Sequence, residues 1–291
     1  MRLTNKNNLP DALVRAIKND PYTKGESDFS VTELLQPPRI RALKRLHFSE
    51  LVEDAEDRIY ALYGQIVHSI LERSNETDLV EKRFFSKFGD HVISAQIDSL
   101  VLKEGTLSDW KFSTAWAFKA GQDPKPEWEA QLNIQAELLR RNGLEAKTLQ
   151  IIGLIRDWQK RDARDNPNYP QTQVVIQPIQ AWGSEKIEAF INMRIKAHLL
   201  AERELPECSS DERWSKPDVY AVIKGKRAIS GGVQYSLSAA ESMCSKNPGT
   251  RVEYRPGEST RCQMYCPVSE FCTQYKLSQQ NEESSNEVPQ S

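Results

Sequence analysis

No cysteine occurs before residue 208, although the chain has 291 residues and five cysteines in all. Disulfides therefore cannot brace the first two thirds, where stability has to come from an ordinary packed core. Net charge is nearly absent as well, −2 at pH 7. No global positive field marks the chain for phosphate-rich partners, whose affinity comes from cations that displace counterions. No apolar run approaches the roughly 20 residues that cross a bilayer, so no membrane partner is expected. The segment 1–8, MRLTNKNN, lacks the apolar stretch of a secretory signal, and the expected location is the cytoplasm.

What is present fits a globular protein: charged residues make up 27% and hydrophobic ones 38%, and the length suits one large domain with an appendage or two modest domains. Local basic clusters stand out against the neutral balance. Arg39, Arg41, Lys44 and Arg45 form one, Arg140 and Arg141 a second, and Arg156, Lys160, Arg161 and Arg164 a third. Each reads first as a solvated helix or loop face.

Apolar spacing outlines the elements. Residues 1–28 are polar and irregular, and a folded domain is expected to begin near Asp28, with a short strand or helix entry at Phe29–Leu34 that Pro37-Pro38 breaks. Leu51, Ala55, Ile59, Leu62, Ile66 and Ile70 recur at three- and four-residue intervals, which predicts an amphipathic helix over 49–73. Residues 79–88, 91–102 and 106–113 read as a three-stranded meander punctuated by Gly89-Asp90. A helix follows Pro126 and stops at Asn142-Gly143, a strand covers 149–155, another 172–179, and a helix 184–204. The order predicts an α/β (α+β) fold with a mixed central sheet flanked by helices. After Pro206 frequent Gly and Pro break the chain into short pieces.

Asp109-Trp110-Lys111 sits in the third strand of the meander, so Asp109 and Lys111 share a face and Trp110 takes the other. If Glu104-Gly105 is a two-residue turn, Asp98 falls opposite Lys111 and Asp109 opposite Leu100, roughly 4.5–5.5 Å apart across the strands. Two carboxylates and an ammonium group so placed can hold a divalent cation and activate water. Taken alone, the same residues also read as an exposed hairpin with an ordinary salt bridge. His68, on the helix, is a candidate ligand or a hydrogen-bonded core histidine.

In chain order, Gly64-x3-His68-x3-Glu72, Gln96-Ile97-Asp98, Asp109-Trp110-Lys111 and Gln131-x3-Gln135 resemble the motifs of the PD-(D/E)XK nuclease superfamily, in its exonuclease branch with RecB-type nuclease domains. The resemblance spans residues 29–160. Gln135 stands where that family often has Tyr, and Asp109 where Glu is common. It implies a restriction-endonuclease-like fold and a divalent-metal-dependent deoxyribonuclease of phage or bacterial replication, recombination or repair, an exonuclease on single-stranded DNA or DNA ends. Asp98, Asp109, Lys111 and Gln131 would be catalytic, and His68, Asp98, Asp109 and the Trp110 carbonyl would hold Mg²⁺ or Mn²⁺. Glu72 reads as helix surface or a partner of the ligands. A helicase or recombination protein is the implied protein partner. A catalytically inactive DNA-binding or scaffold protein of this fold and a nuclease for RNA are the alternatives.

Cys262-x3-Cys266-x5-Cys272 packs three cysteines into one short segment, a density that in a reducing compartment means metal ligation. The spacing is not that of a zinc ribbon, which uses two close pairs. It resembles the C-terminal cysteine trio of iron-sulfur nucleases in the same superfamily, which implies a 4Fe-4S cluster, with zinc as the alternative. Four thiolates need one more cysteine. Cys208, in a helix-ending segment, is preferred to Cys244. The expected domains are a flexible segment 1–28, a nuclease domain 29–205, a Cys-rich subdomain 206–278 and a disordered tail 279–291, where almost nothing apolar offsets the entropy of ordering.

Overall fold

The computed structural model describes residues 1–73, 79–119 and 121–286. The chain divides into two compact units, Met1–Gln36 with Val52–Arg203, and Pro37–Leu51 with Glu204–Ser291. In chain order the first part runs β1 (Arg2–Thr4), α1 (Asp11–Lys18), β2 (Phe29–Ser30), α2 (Val31–Leu35), α3 (Pro38–Leu46), β3 (Val52–Asp54) and α4 (Ile59–Arg73). Then come β4 (Leu79–Phe88), β5 (His91–Val101), β6 (Thr106–Ser113), α5 (Pro126–Arg141), β7 (Thr148–Ile155), α6 (Lys160–Asp165), β8 (Val174–Ile179) and α7 (Ser184–Ala201). Of these, only α3 belongs to the second unit.

The first unit is a mixed sheet flanked by helices, ordered β2-β5-β6-β7-β8 with β4 on β5. Strand β5 organises it. One edge pairs with β4 from His91 to Leu100; the other edge is divided, β2 taking Ile93 and Ser94 in parallel and β6 taking only Ser99 to Val101 antiparallel. Beyond Ser99 strands β5 and β6 part, and β6 continues alongside β7 in parallel through Ile155. A fork opens in the sheet.

Two buried clusters meet on helix α5. Leu132 and Leu139 pack with Ile97, Leu107 and Ile151, while Ile134 and Leu138 pack with Phe29, Leu34, Ile93 and Ile191. Each such side chain contributes roughly 1.5–3 kcal/mol by leaving water. Close packing also fixes Gly153, where an added Cβ would stand 2.3 Å from the Phe118 ring.

Several expectations change. Residues 1–28 are not wholly irregular: β1 pairs in parallel with β3, Arg2 opposite Val52, and α1 follows. That pairing uses Val52–Asp54, so the helix expected from Ser49 starts only at Ile59. Its apolar stripe finds no core, since no residue of α4 is buried and Ile70 is 58% exposed. A helical period specifies a face, not what covers it. The β5–β6 hairpin closes over four residues, with Gly105 at φ +68° and its N–H on the Val101 carbonyl at 2.8 Å. The register therefore pairs Leu100 with Leu107 rather than with Asp109. A shift by two leaves every side chain on its expected face.

The second unit comprises α3, α8 (Ser210–Arg213), β9 (Ser215–Lys216), β10 (Val219–Lys224), β11 (Arg227–Gln234), α9 (Leu237–Lys246), β12 (Arg251–Arg255), β13 (Glu258–Ser259), α10 (Thr260–Met264) and α11 (Thr273–Asn286). It therefore takes in residues 37–51, which the sequence reading assigned to the domain 29–205. Strands β11-β10-β12 form an antiparallel sheet and β13-β9 a short pair. Its core joins Ile40, Leu43 and Leu51 to Cys208, Val268 and Cys272. All five cysteines lie here. Where a disordered tail is expected from Gln279, α11 continues the helix through 286; extending a nucleated helix costs far less than starting one. Residues 287–291 lie outside the described residues.

Candidate metal centre and cysteine site

The fork in the sheet leaves Asp98 without a backbone neighbour on the β6 side. Its carboxylate fills the place: Oδ2 accepts a hydrogen bond from the Trp110 N–H at 2.7 Å. Trp110 thus meets the site through its amide. The next residues of β6 complete one side, with Asp109 1% exposed and the Lys111 ammonium 2.6 Å from Asp109 Oδ2. Helix α5 brings Gln131 above them. Its Nε2 donates to Asp109 Oδ1 at 2.6 Å, and its Oε1 accepts from Lys111 Nζ at 3.2 Å. A neutral amide so fixes both the anion and the cation.

Helix α4 brings His68 from the other side of the fork, its Nδ1 2.8 Å from Glu81 Oε1 and 3.7 Å from Asp98 Oδ1. Glu81 was not anticipated from the sequence. It interrupts the β4–β5 ladder between Val80–Ser99 and Lys82–Ile97, directly facing Asp98, and its backbone is left-handed at φ +49°. That conformation costs a non-glycine residue about 1 kcal/mol. Side-chain bonds offset the cost: Glu81 Oε2 also accepts from Gln96 Nε2 at 2.6 Å. Sequence alone shows Glu81 as one more polar residue in an alternating strand. Glu72, by contrast, is exposed on α4.

His68, Glu81, Asp98, Asp109, Lys111, Gln131 and Gln135 line one cavity of about 300 Å³. Its acidic groups are crowded enough to shift one another's protonation. Burial first, then the charge of Asp109, push the Asp98 carboxyl up to about 7. The hydrogen bond to Glu81, reinforced by the charges of Asp98 and Asp109, raises the His68 imidazole and outweighs its burial. Asp109 Oδ2 is ion-paired with Lys111 but too poorly aligned for a hydrogen bond, so this buried oxygen has no hydrogen-bond partner among the described residues. The ammonium at 2.6 Å nevertheless compensates its charge. Ligand atoms of His68, Glu81 and Asp98 lie within 4.8 Å of one another and could together hold a metal ion.

A second constellation lies within the other unit. Cys208, Cys262, Cys266 and Cys272 line a common cavity with Arg39. Reciprocal bonds fasten the Cys208 segment: its N–H donates to Gln274 Oε1 at 2.9 Å and its carbonyl accepts from Gln274 Nε2 at 3.0 Å. Cys244 is elsewhere, donating to the Thr250 carbonyl at 3.2 Å. Arg39, expected on a solvated face, is 4% exposed; its Nε donates to Cys272 Sγ at 3.2 Å and its Nη1 to the Pro206 carbonyl at 3.1 Å. Burial pushes the Cys208 thiol up to about 12 and raises Cys262 and Cys266 as well. Such thiols stay protonated until a metal displaces the protons.

No family model matches the chain, and no curated protein matches it. Among solved structures, that of SSO0001 is similar over 63% of this chain and 83% of its own, at 17% identity and a TM-score of 0.44.

Proposed function

We propose that the chain is a divalent-metal-dependent deoxyribonuclease of the PD-(D/E)XK kind, an exonuclease hydrolysing DNA phosphodiester bonds in replication, recombination or repair. The observation that supports this reading is the convergence of Asp98, Asp109, Lys111, His68 and Gln131 on one cavity in which ligand atoms of His68, Glu81 and Asp98 lie within 4.8 Å of one another. A bound Mg²⁺ or Mn²⁺ would neutralise phosphate charge and acidify a water molecule. Asp98 and Asp109 would hold the cation with Glu81 and His68, the imidazole favouring Mn²⁺.

The remaining chemistry belongs to the chain. Water adds to phosphorus, the bond to the leaving oxygen breaks, and negative charge grows on the phosphoryl oxygens. The Lys111 ammonium, fixed by Asp109 and Gln131, offsets that charge without reorganising during the reaction. The motif order that resembles RecB-type nucleases also supports this reading. A time course on end-labelled single-stranded DNA, duplex DNA and RNA, with Mg²⁺, Mn²⁺ or chelator, tests it. Metal-dependent loss of label from DNA is expected. Binding without cutting under every condition would favour an inactive DNA-binding protein, and preference for RNA a ribonuclease.

For the cysteines we infer a 4Fe-4S cluster held by Cys208, Cys262, Cys266 and Cys272. What supports it is that the four cysteines line one cavity, with Cys208 fastened on both sides by Gln274; a single zinc ion is the alternative. Iron and sulfide in protein purified without oxygen would support it; stoichiometric zinc would overturn it.

A further inference from the structure

An aromatic groove runs beside the metal centre. Tyr60, Tyr63 and Val67 of α4, Phe112 of β6, and Arg156 and Asp157 line a hollow of about 520 Å³. The hollow and the metal cavity are built on the same two elements, Val67 next to His68 on α4 and Phe112 next to Lys111 on β6, where alternation turns Phe112 to the other face of the strand. Tyr60 is 65% exposed and Tyr63 44%. Single exposed apolar residues need no explanation, but these rings form a series: Tyr60 to Tyr63 and Tyr63 to Phe112 are each 6.3 Å between centroids. The Arg156 guanidinium lies 4.1 Å from the Tyr60 centroid and has no carboxylate partner among the described residues. Asp157, whose Oδ1 accepts from the Ala115 N–H at 2.7 Å, also borders the adjoining hollow that contains Trp116 and Lys119. There the pattern repeats, with the Lys119 ammonium 5.0 Å from the Trp116 centroid.

We propose that this groove binds single-stranded DNA, its bases stacking on Tyr60 and Tyr63 and its phosphates meeting Arg156 and Lys119, and so guides one strand to the metal centre. This rests on the nuclease reading for its direction of travel, not for its binding chemistry. Aromatic faces interleaved with cations are how proteins hold unpaired strands without reading their sequence, since every base has a face to stack. A duplex keeps its faces stacked inside and offers none. Arg156 and Lys119, which make no ion pair among the described residues, add the positive charge that a phosphate backbone seeks and that an apolar protein surface would leave unanswered.

The test measures fluorescence anisotropy of a labelled oligothymidylate in chelator, where nothing is cut, using the full chain. Tyr60→Leu with Tyr63→Leu should weaken binding about tenfold for each ring lost, whereas Phe at both positions should restore it. Arg156→Gln should lower the salt dependence by about one phosphate contact. An abasic strand should bind the wild type as weakly as the double leucine variant binds the normal strand. Both tyrosines are exposed, so an unchanged thermal melt will show that the variants fold. Equal binding by wild type and double leucine variant would overturn the proposal, as would a duplex that binds as tightly as the single strand. Self-association in the wild type that the leucine variant loses, with no effect on DNA, would assign the groove to a second copy of the chain and overturn it likewise. If the wild type cuts nothing but binding follows the rings, the nuclease reading fails and the groove stands. If it cuts and the ring variants bind and cut equally well, the reverse holds.

Discussion

The Trp110 N–H and the Asp98 carboxylate meet at 2.7 Å where the backbones of β5 and β6 separate, so a side chain takes over the pairing that the strand abandons. Replacing that side chain separates charge from geometry. Asp98→Asn keeps an oxygen able to accept from Trp110 and removes the repulsion with Asp109. Cutting should fall at least about a hundredfold. The metal-free protein above neutral pH should nonetheless melt higher, gaining on the order of 1 kcal/mol, and the rise in melting temperature on adding Mn²⁺ should disappear. A melt lower than wild type would show that Asp98 is structural.

If the site takes a divalent cation as proposed, the same carboxyl makes its affinity depend on pH. It titrates at about 7 in the folded protein against 3.8 for the free group, so the folded state holds a proton that the unfolded chain has released. Through this group the metal-free protein loses stability as pH rises from about 4 to about 7. His68, raised above 6.5, acts in the same direction: its contribution is complete below 6.5 and is lost as pH passes its folded value. Both protons oppose the cation. Mn²⁺ affinity measured by calorimetry should therefore rise about tenfold per pH unit for each proton displaced and level off once pH has passed the folded-state values of both groups, about 7 for Asp98. Affinity that is flat from about pH 6 upward would remove Asp98 and His68 from the ligand set.

Much of this site could be read from the sequence because it is built on regular elements. Alternation along β6 fixed Asp109 and Lys111 on one face, and helical spacing placed His68 and Gln131. The β5–β6 register is less legible, since Gly105 closes a turn longer than two residues, yet a shift by two keeps the faces. Glu81 was invisible for a different reason: its role comes from a left-handed backbone within a strand, and nothing in the surrounding residues specifies one. Arg39 was misread because a run of arginines looks solvated until a cavity that requires a buried donor appears beside it. The exposed stripe of α4 belongs with these cases.

Gln131 has no charge, and its contribution should be purely positional. With Gln131→Ala, Lys111 loses the acceptor at 3.2 Å and Asp109 the donor at 2.6 Å, while the Lys111–Asp109 ion pair remains. The turnover number should fall about ten- to a hundredfold with KM little changed. Rescue by Glu is not expected, because a fourth carboxylate would compete with Asp109 for Lys111. Steady-state kinetics on a single-stranded substrate will decide it. A change confined to KM would mean that Gln131 binds DNA instead.

Gly153 pairs with Lys111 across the β6–β7 ladder and leaves room for the Phe118 ring, which stacks on Trp128 with centroids 5.3 Å apart. An added methyl at 2.3 Å from that ring forces the aromatic pair or β7 to move. Gly153→Ala should destabilise the first unit by about 1–3 kcal/mol in urea unfolding and lower activity by displacing β6. Wild-type stability would show that Phe118 has space to retreat.

The cysteines offer a comparison with an internal control. Cys208 lines the cavity with the trio and is fastened on both sides by Gln274, whereas Cys244 is bonded to Thr250 in another part of the same unit. If four thiolates hold a cluster, Cys208→Ser should lose most of the iron and sulfide and the visible absorption of anaerobically purified protein, while Cys244→Ser keeps them. The loss should also destabilise the second unit, whose core contains both Cys208 and Cys272, since metal bound only by the folded state adds its binding free energy to stability. Limited proteolysis will read that effect as earlier cleavage after Glu204. Equal iron in the two variants would exclude Cys208 as the fourth ligand, and loss from Cys244→Ser alone would transfer the role to Cys244.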